Sequence, residues 1–322
     1  MRDLVIGIDI GGTKIAVGLQ DQQGNLLSRS FTNSYSGCMP EKVIEAVVHM
    51  VDLILKEAGV SKNRILGAGV GCAGHVNSDQ GIVLTNSNLP GWNYYPLKET
   101  LEKIIDLPVF LDNDANCAAW GEFRYGMGQG SRHMCYLTFS TGCGMGIIID
   151  RKLYRGALGT AGEIGHTVIN PDGPLCSCGK HGCLMSYACG MALSQMAEDC
   201  LKNNEKTLLN ELCSEKSNHI PAEKIAQAAR QGDAVAIRLL NTAGHYFGIG
   251  LSTVVQILNP DTIVIGGGLT QIGSLLLDPC LKSLNENIHP VLRDSAHIHL
   301  SKLQNDACVI GAGSLIWENF HE

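Results

Sequence analysis

Twice in this chain an apolar run ends at a glycine-rich bend and is answered by a second apolar run. The first instance is LVIGIDI (4–10), the bend GGT, and KIAVGLQ (14–20). The second is MCYLTFS (134–140), interrupted by TGCGMG and resumed at IIIDRKLY. Short β-branched runs of this kind read as buried strands, and glycine lets the backbone reverse between them. A strand–corner–strand unit that recurs after about 130 residues predicts two related α/β domains, and 322 residues is a length that two domains fill comfortably.

The elements around these corners support that reading. DQQGN turns the chain into LLSRSF, so the first corner continues as a β-meander. Ile44, Val47, Val48, Val51 and Leu55 recur at helical spacing, and Gly59 ends the helix. ILGAGVGCAG (65–74) and PVFLDND (108–114) are buried strands with glycine or polar residues at their C-terminal ends, as in an α/β layer. From residue 184 the chain turns helical: LMSYACGMALSQMAEDCLK, then PAEKIAQAARQG with Pro221 at a first helical position, then DAVAIRLLNTAGHYFGIGLSTVVQIL. A strand, TIVIGGGL (262–269), and another helix follow; ACVIGAGSLIWENF is expected to lead from a small-residue turn into a last helix.

Composition narrows the chemistry. With a net charge of −7 and no block of like charge, the chain does not offer a nucleic-acid surface or a basic membrane patch. Its longest apolar stretch, around FGIGLSTVVQIL, falls short of the roughly 18 residues needed to cross a bilayer. The N-terminal residues show no basic leader or cleavage site, so a cytoplasmic protein is expected. Thiols stay reduced there, so among the 13 cysteines close clusters read as metal sites rather than disulfides, and lone members such as Cys38, Cys117, Cys200, Cys213, Cys280 and Cys308 read as small core hydrophobes.

Three segments carry candidate chemistry. DIGGTK (9–14) sets an acidic residue beside a glycine corner. Converging backbone N–H groups there can hold an anion, and the Asp9 carboxylate suits a hydrated magnesium ion. A plain hairpin turn explains a lone GGT equally well, but STGCGMG (140–146) and VIGGGL (264–269) make three such corners, a split nucleotide cradle without Walker or dinucleotide spacing. LDNDAN (111–116) crowds polar residues at a strand end, where α/β folds place ligands. A carboxylate there can take a proton from an alcohol, or the cluster can simply cap the next helix. CSCGKHGC (176–183) supplies Cys176, Cys178 and Cys183, and His166 upstream completes a Cys3His set fit for tetrahedral zinc; an inert thiol cluster is the alternative.

DIGGTK, DNDAN, STGCGMG, GEIGH and CSCGKHGC, in this order and spacing, resemble the ROK family of sugar kinases and related repressors, within the actin-like ATPase superfamily. The resemblance runs nearly end to end. It implies a two-domain α/β fold of the ribonuclease H-like kind, with mixed sheets flanked by helices and a cleft between lobes. The domains would be residues 1–114 with about 304–322, and residues 115–303 with the zinc loop. By the same likeness Asp9 orients magnesium, while Gly11, Gly12, Thr13 and Lys14 hold the ATP phosphates. Thr141 and Gly142 form the second phosphate corner, and Gly266, Gly267 and Gly268 border adenosine. Asp114 is the base that deprotonates the sugar 6-hydroxyl. Gly74, Asn88, Asn113, Glu163 and His166 line the sugar pocket, although the segment TNSNLPGWN around Asn88 also reads as a surface loop. His166, Cys176, Cys178 and Cys183 bind a structural zinc.

One position departs from the family pattern. Where a sugar-binding glutamate usually follows the last zinc cysteine, this chain has Met185, whose thioether is a poor acceptor for a sugar hydroxyl. Cys189, where serine is common, is a milder change. The resemblance therefore implies a Mg·ATP-dependent hexose kinase, with glucose first among the substrates and N-acetylmannosamine, N-acetylglucosamine or allose as alternatives. A homodimer or homotetramer is usual in the family. A sugar-responsive repressor or a sugar-binding relative without turnover is the competing class, and the early phosphate motif and acidic balance weigh against a DNA-binding role.

Overall fold

The structure, a computed structural model, describes residues 2–12, 14–33, 37–86, 89–212 and 219–320. Thr13 and Asn88, two of the expected ligand-binding residues, lie outside the described residues, as does Cys213.

In chain order the first elements are β1 (Leu4–Ile10), β2 (Lys14–Gln20), β3 (Leu26–Asn33), α1 (Pro40–Ala58), β4 (Ile65–Cys72), β5 (His75–Asn77) and β6 (Ile82–Thr85). They are followed by α2 (Leu97–Ile105), β7 (Val109–Asn113), α3 (Asp114–Tyr125), β8 (Met134–Phe139), β9 (Cys143–Ile149) and β10 (Lys152–Leu153). The remainder comprises α4 (Gly190–Lys202), α5 (Leu209–Leu212), α6 (Ala222–Arg230), α7 (Ala234–Leu258), β11 (Thr262–Gly266), α8 (Ser274–Asn287), β12 (His297–Leu300) and α9 (Ala307–Phe320). One five-stranded sheet has the order β3-β2-β1-β4-β7 and another the order β10-β9-β8-β11-β12.

The chain folds into two compact units: 1–136 with 145–162 and 301–322, and 137–144 with 163–300. These limits differ from the expected 114/115 and 303/304. The reason lies in α3, which is held by α9: a side chain at Gly311 would overlap the carbonyl of Cys117, and one at Gly121 would overlap that of Ala307. Helix α3 therefore belongs with the first unit.

Within the first unit β1 pairs antiparallel with β2 (Ile10↔Ile15) and parallel with β4 (Ile10↔Cys72), and β4 pairs parallel with β7 (Cys72↔Asn113). The tips of β1, β4 and β7 thus end at one level. One face of this sheet is buried by α1 through Val43, Val47, Met50, Val51 and Ile54. Pro40 opens α1 where no N–H is needed, and Gly59 closes it in the left-handed conformation, φ 63°. Helix α9 crosses the sheet backbone to backbone, since a Cβ at Gly7 or Gly69 would overlap the carbonyls of Val309 and Ala312.

In the second unit the long helix α7 begins at Asp233, whose carboxylate accepts from Ala236 N at 2.8 Å. Helix α7 stacks Phe247 on Phe139 of β8 with ring centroids 4.0 Å apart. Against α8 it packs closely at Gly244 and Gly248.

Four sequence expectations are corrected. ACVIGAGSLIWENF is helical from Ala307 onward, and its glycines serve close helix packing rather than a turn. Pro221 is the residue before α6, not its first helical residue. Helix α4 starts at Gly190, because Leu184–Ser186 forms a single 3-10 turn and Cys189 supplies the cap. Strand β9 begins at Cys143, so the second corner is confined to residues 140–142. Among the described residues no helix is long and apolar enough to cross a membrane.

Candidate active site

At the tip of β1, Gly11 N donates to Lys14 O at 2.9 Å and closes the hairpin that carries Gly12. Asp9 sits two residues before this bend, opposite Ala16 on one side and Gly71 on the other. Burial and the negative charge of Asp114 push its carboxyl up to about 7, against the opposing pull of Lys14 and a hydrogen bond from the Cys308 thiol. The first unit therefore brings together Asp9, Asp114 and Lys14, although Asp114 lies at least 100 residues along the chain from the other two.

Asp114 owes its position to the β7–α3 junction. Asn113, extended at φ −68° and ψ 147°, is the N-cap: its side-chain oxygen accepts from Ala115 N (2.9 Å) and Asn116 N (3.3 Å). Its amide nitrogen donates to Gly74 O at 3.0 Å. Gly74 is left-handed, φ +96°, and a Cβ there would stand 2.5 Å from Thr85 O. The two readings of LDNDAN divide between neighbours: Asn113 caps the helix, and Asp114 occupies its first turn, half-buried, where the helix dipole favours a carboxylate.

In the second unit the bend after β8 is tied by Ser140 N donating to Gly142 O at 3.1 Å. The start of α4 closes on it, with Gly190 N donating to Ser140 O (2.8 Å) and Met191 N to Thr141 O (3.3 Å). Gly266 ends β11. Gly267, φ +95°, lies so close to Phe139 that a Cβ would overlap its carbonyl, whereas a Cβ at Gly268 would meet nothing within 4 Å. That backbone is open to a ligand. Glu163 is exposed and directly precedes the 3-10 turn Ile164–His166.

His166, Cys176, Cys178 and Cys183 converge, with their donor atoms all within 4.8 Å of one another. His166 Nδ1 and Cys176 Sγ are 3.6 Å apart, as are the sulfurs of Cys178 and Cys183. Around an ion bound at about 2.3 Å, tetrahedral sulfurs stand about 3.8 Å apart, a spacing that one Cys3His metal site fits.

A protein family model described as the ROK family matches residues 5–319. The chain belongs to the ROK family. Its relatives include the glucokinase of Streptomyces coelicolor, 38% identical with 98% of each chain covered. They also include the xylose repressor of Caldicellulosiruptor bescii, 32% identical over 97% of this chain and 77% of that one. Among solved structures, a ROK family glucokinase from Streptomyces griseus in complex with glucose and AMPPNP is 37% identical, with a TM-score of 0.85 over 98% of this chain and 99% of that one. The fold is that of the actin-like ATPases.

This ROK protein also has site neighbours that sequence reasoning missed. Arg155 pairs with the fully buried Asp112 (Nε 2.8 Å, Nη2 2.7 Å), and Asp112 accepts from Asn116 Nδ2 at 2.9 Å. Arg155 thus grips the strand two residues before Asp114. Cys308 and Cys117, read as core fillers, are buried as expected, but they share a hydrogen bond beneath Asp9. No local pattern marks either feature, because both depend on residues far apart in the chain.

Proposed function

We propose that this protein is an ATP-dependent kinase that phosphorylates the 6-hydroxyl of a hexose, glucose first. The observation that carries the reading is Asp114, a carboxylate at a helix N-terminus on a strand tip, with Asp9 and the Gly11–Lys14 hairpin in the same unit. Its likeness to glucokinases, one of them bound to glucose and AMPPNP, supports the same substrates.

In this mechanism Asp114 accepts the proton of the sugar 6-hydroxyl as that oxygen attacks the γ-phosphorus. The bond from the γ-phosphorus to the bridging oxygen breaks, and ADP leaves with the electron pair. Gly11 shapes the hairpin, the backbone N–H of Gly12 with Thr13 and the Lys14 ammonium bind phosphate oxygens, and Thr141 and Gly142 add a second set of donors. Gly266 to Gly268 offer bare backbone to the adenosine. Asp9 would hold the hydrated magnesium ion, which neutralises phosphate charge when bound. His166, Cys176, Cys178 and Cys183 would hold zinc, whose role is to fix the loop that presents Glu163 and His166. Gly74 keeps Asn113 aimed, and Asn88 is assigned to the sugar. Such an enzyme acts in the cytoplasm, where ATP is made, as a homodimer or homotetramer.

A second reading, a different sugar or sugar binding without turnover, is favoured by Met185 and by the repressors among the relatives. An ADP-release assay with ATP and glucose, N-acetylglucosamine, N-acetylmannosamine, mannose, allose and fructose separates these readings. Glucose should give the highest kcat/KM. In Asp114→Asn, kcat should fall about 1,000-fold, and a loss of only a few-fold would remove Asp114 from the role of base.

A further inference from the structure

The metal centre and the second phosphate corner are joined by close packing on one side and by hydrogen bonds on the other. On one side, Gly165 directly precedes the ligand His166, and a Cβ on it would stand 2.5 Å from Cys143 O. The chain next to the metal thus rests on the backbone of the corner. On the other side, the ligand Cys183 leads into a tight turn: Leu184 N donates to Thr167 O (2.9 Å), Ser186 N to Cys183 O (2.9 Å) and Ala188 N to Leu184 O (2.9 Å). Five residues after Cys183, the carbonyl of Ala188 accepts from the Cys143 thiol. Gly190 N and Met191 N then bind the carbonyls of Ser140 and Thr141. Cys189 locks this stretch by donating to Met185 O at 3.0 Å and accepting from Ala192 N at 3.4 Å. Met185 itself lies against the corner, its sulfur 3.4 Å from where a Cβ of Gly142 would be.

The loop between the two paths is tied by its own backbone bonds, Cys176 N to Lys180 O (2.8 Å) and Gly182 N to Pro174 O (2.9 Å), and not by an apolar core. Residues 174–181 are exposed apart from Cys176, so no apolar core fixes the approach of Cys176 and Cys178 to His166 and Cys183. A bound ion supplies that constraint, and binding free energy in such sites acts as folding free energy.

We propose that metal occupancy sets the affinity of this protein for nucleotide, because the ion holds residues 140–143 in shape through Gly165 on one side and Cys143–Ala188 and Gly190–Met191 on the other. Cys143 and Cys189 are positioning residues in this scheme and touch no substrate. If only a fraction of the metal-free protein has the corner formed, the apparent nucleotide affinity falls by that fraction. The inference rests on the kinase reading for the identity of the ligand at the corner.

The test compares zinc-loaded full-length protein with protein stripped by a zinc-selective chelator and then supplied with magnesium. Titration calorimetry with AMPPNP should show at least ten-fold weaker binding after stripping and recovery on adding zinc. Hydrogen exchange at the Gly190 and Met191 amides should rise on stripping. In loaded protein, Cys143→Val, which replaces the thiol donor with an apolar side chain, should weaken AMPPNP binding several-fold. Equal AMPPNP affinity in loaded and stripped protein overturns the inference while leaving the kinase reading intact. If stripping unfolds the unit, an unchanged affinity in loaded Cys143→Val overturns it instead. Loaded protein that binds no AMPPNP at all sinks both the inference and the kinase reading.

Discussion

At the scale of single residues, the most exacting arrangement is the one around Asp112. Its side chain is wholly inaccessible to solvent, and its charge is met by Arg155 and by the amide of Asn116. Removing one partner of such a pair strands a charge at a cost of about 3–5 kcal/mol when both are buried. Arg155 is 28% exposed, which lets water take part of the load. Arg155→Met should therefore destabilise the protein by about 2 kcal/mol in urea unfolding. It should also lower kcat about ten-fold in the ADP-release assay, because Asp114 stands two residues along the same strand-to-helix junction. Arg155→Lys, which keeps the charge but not the forked donors, should recover only part of both. Full kcat in Arg155→Met would show that the pair is structural alone. The sequence made this polar cluster visible but not its division of labour. Asp and Asn are both good caps, and only the extended backbone at Asn113 decides which of them caps α3. Arg155 carried no signal, because its partner lies 43 residues away.

At the scale of elements, Asp233 illustrates how one residue secures a helix. Burial raises the cost of its charge, but N–H groups of Ala236 and Leu208 and the Thr207 hydroxyl outweigh that cost and hold its carboxyl below the usual range. A lowered folded-state value means that the stabilisation is fully present above about pH 4 and is lost as pH falls through the folded value. Asp233→Ala should cost about 1–2 kcal/mol at pH 7. The gap between variant and parent in thermal unfolding should close below about pH 4, and a gap that persists there would assign the effect to packing. Periodicity made α1 and α7 legible, since each has an apolar stripe and a recognisable start or stop. It failed for α9, where Gly-Ala-Gly looks like a breaker. Tertiary packing overrides that local preference, because a side chain at Gly311 would overlap the backbone of α3.

For the molecule as a whole, the repeated strand–corner–strand pattern foretold two units of α/β character, and the chain folds as two compact units. Their limits were not legible, because α9 returns from the far end of the chain to pack on β1, β4 and α3, and nothing near residue 114 announces that visit. Binding should be readable globally too. A ligand at about 100 times its dissociation constant adds about 2.7 kcal/mol to stability, so saturating Mg·ATP should raise Tm by about 4 °C. A Tm unmoved by Mg·ATP would count against the nucleotide assignment.

All four metal donors fall between residues 166 and 183, whereas this unit continues to Leu300. A ribosome has therefore delivered the complete ligand set while residues 184–300 of this unit are still to be made. The ion can be captured by the nascent chain and serve as a seed on which the later helices assemble. On the proposed zinc assignment, scarcity of the metal during synthesis would lower the yield of folded protein, not only its activity.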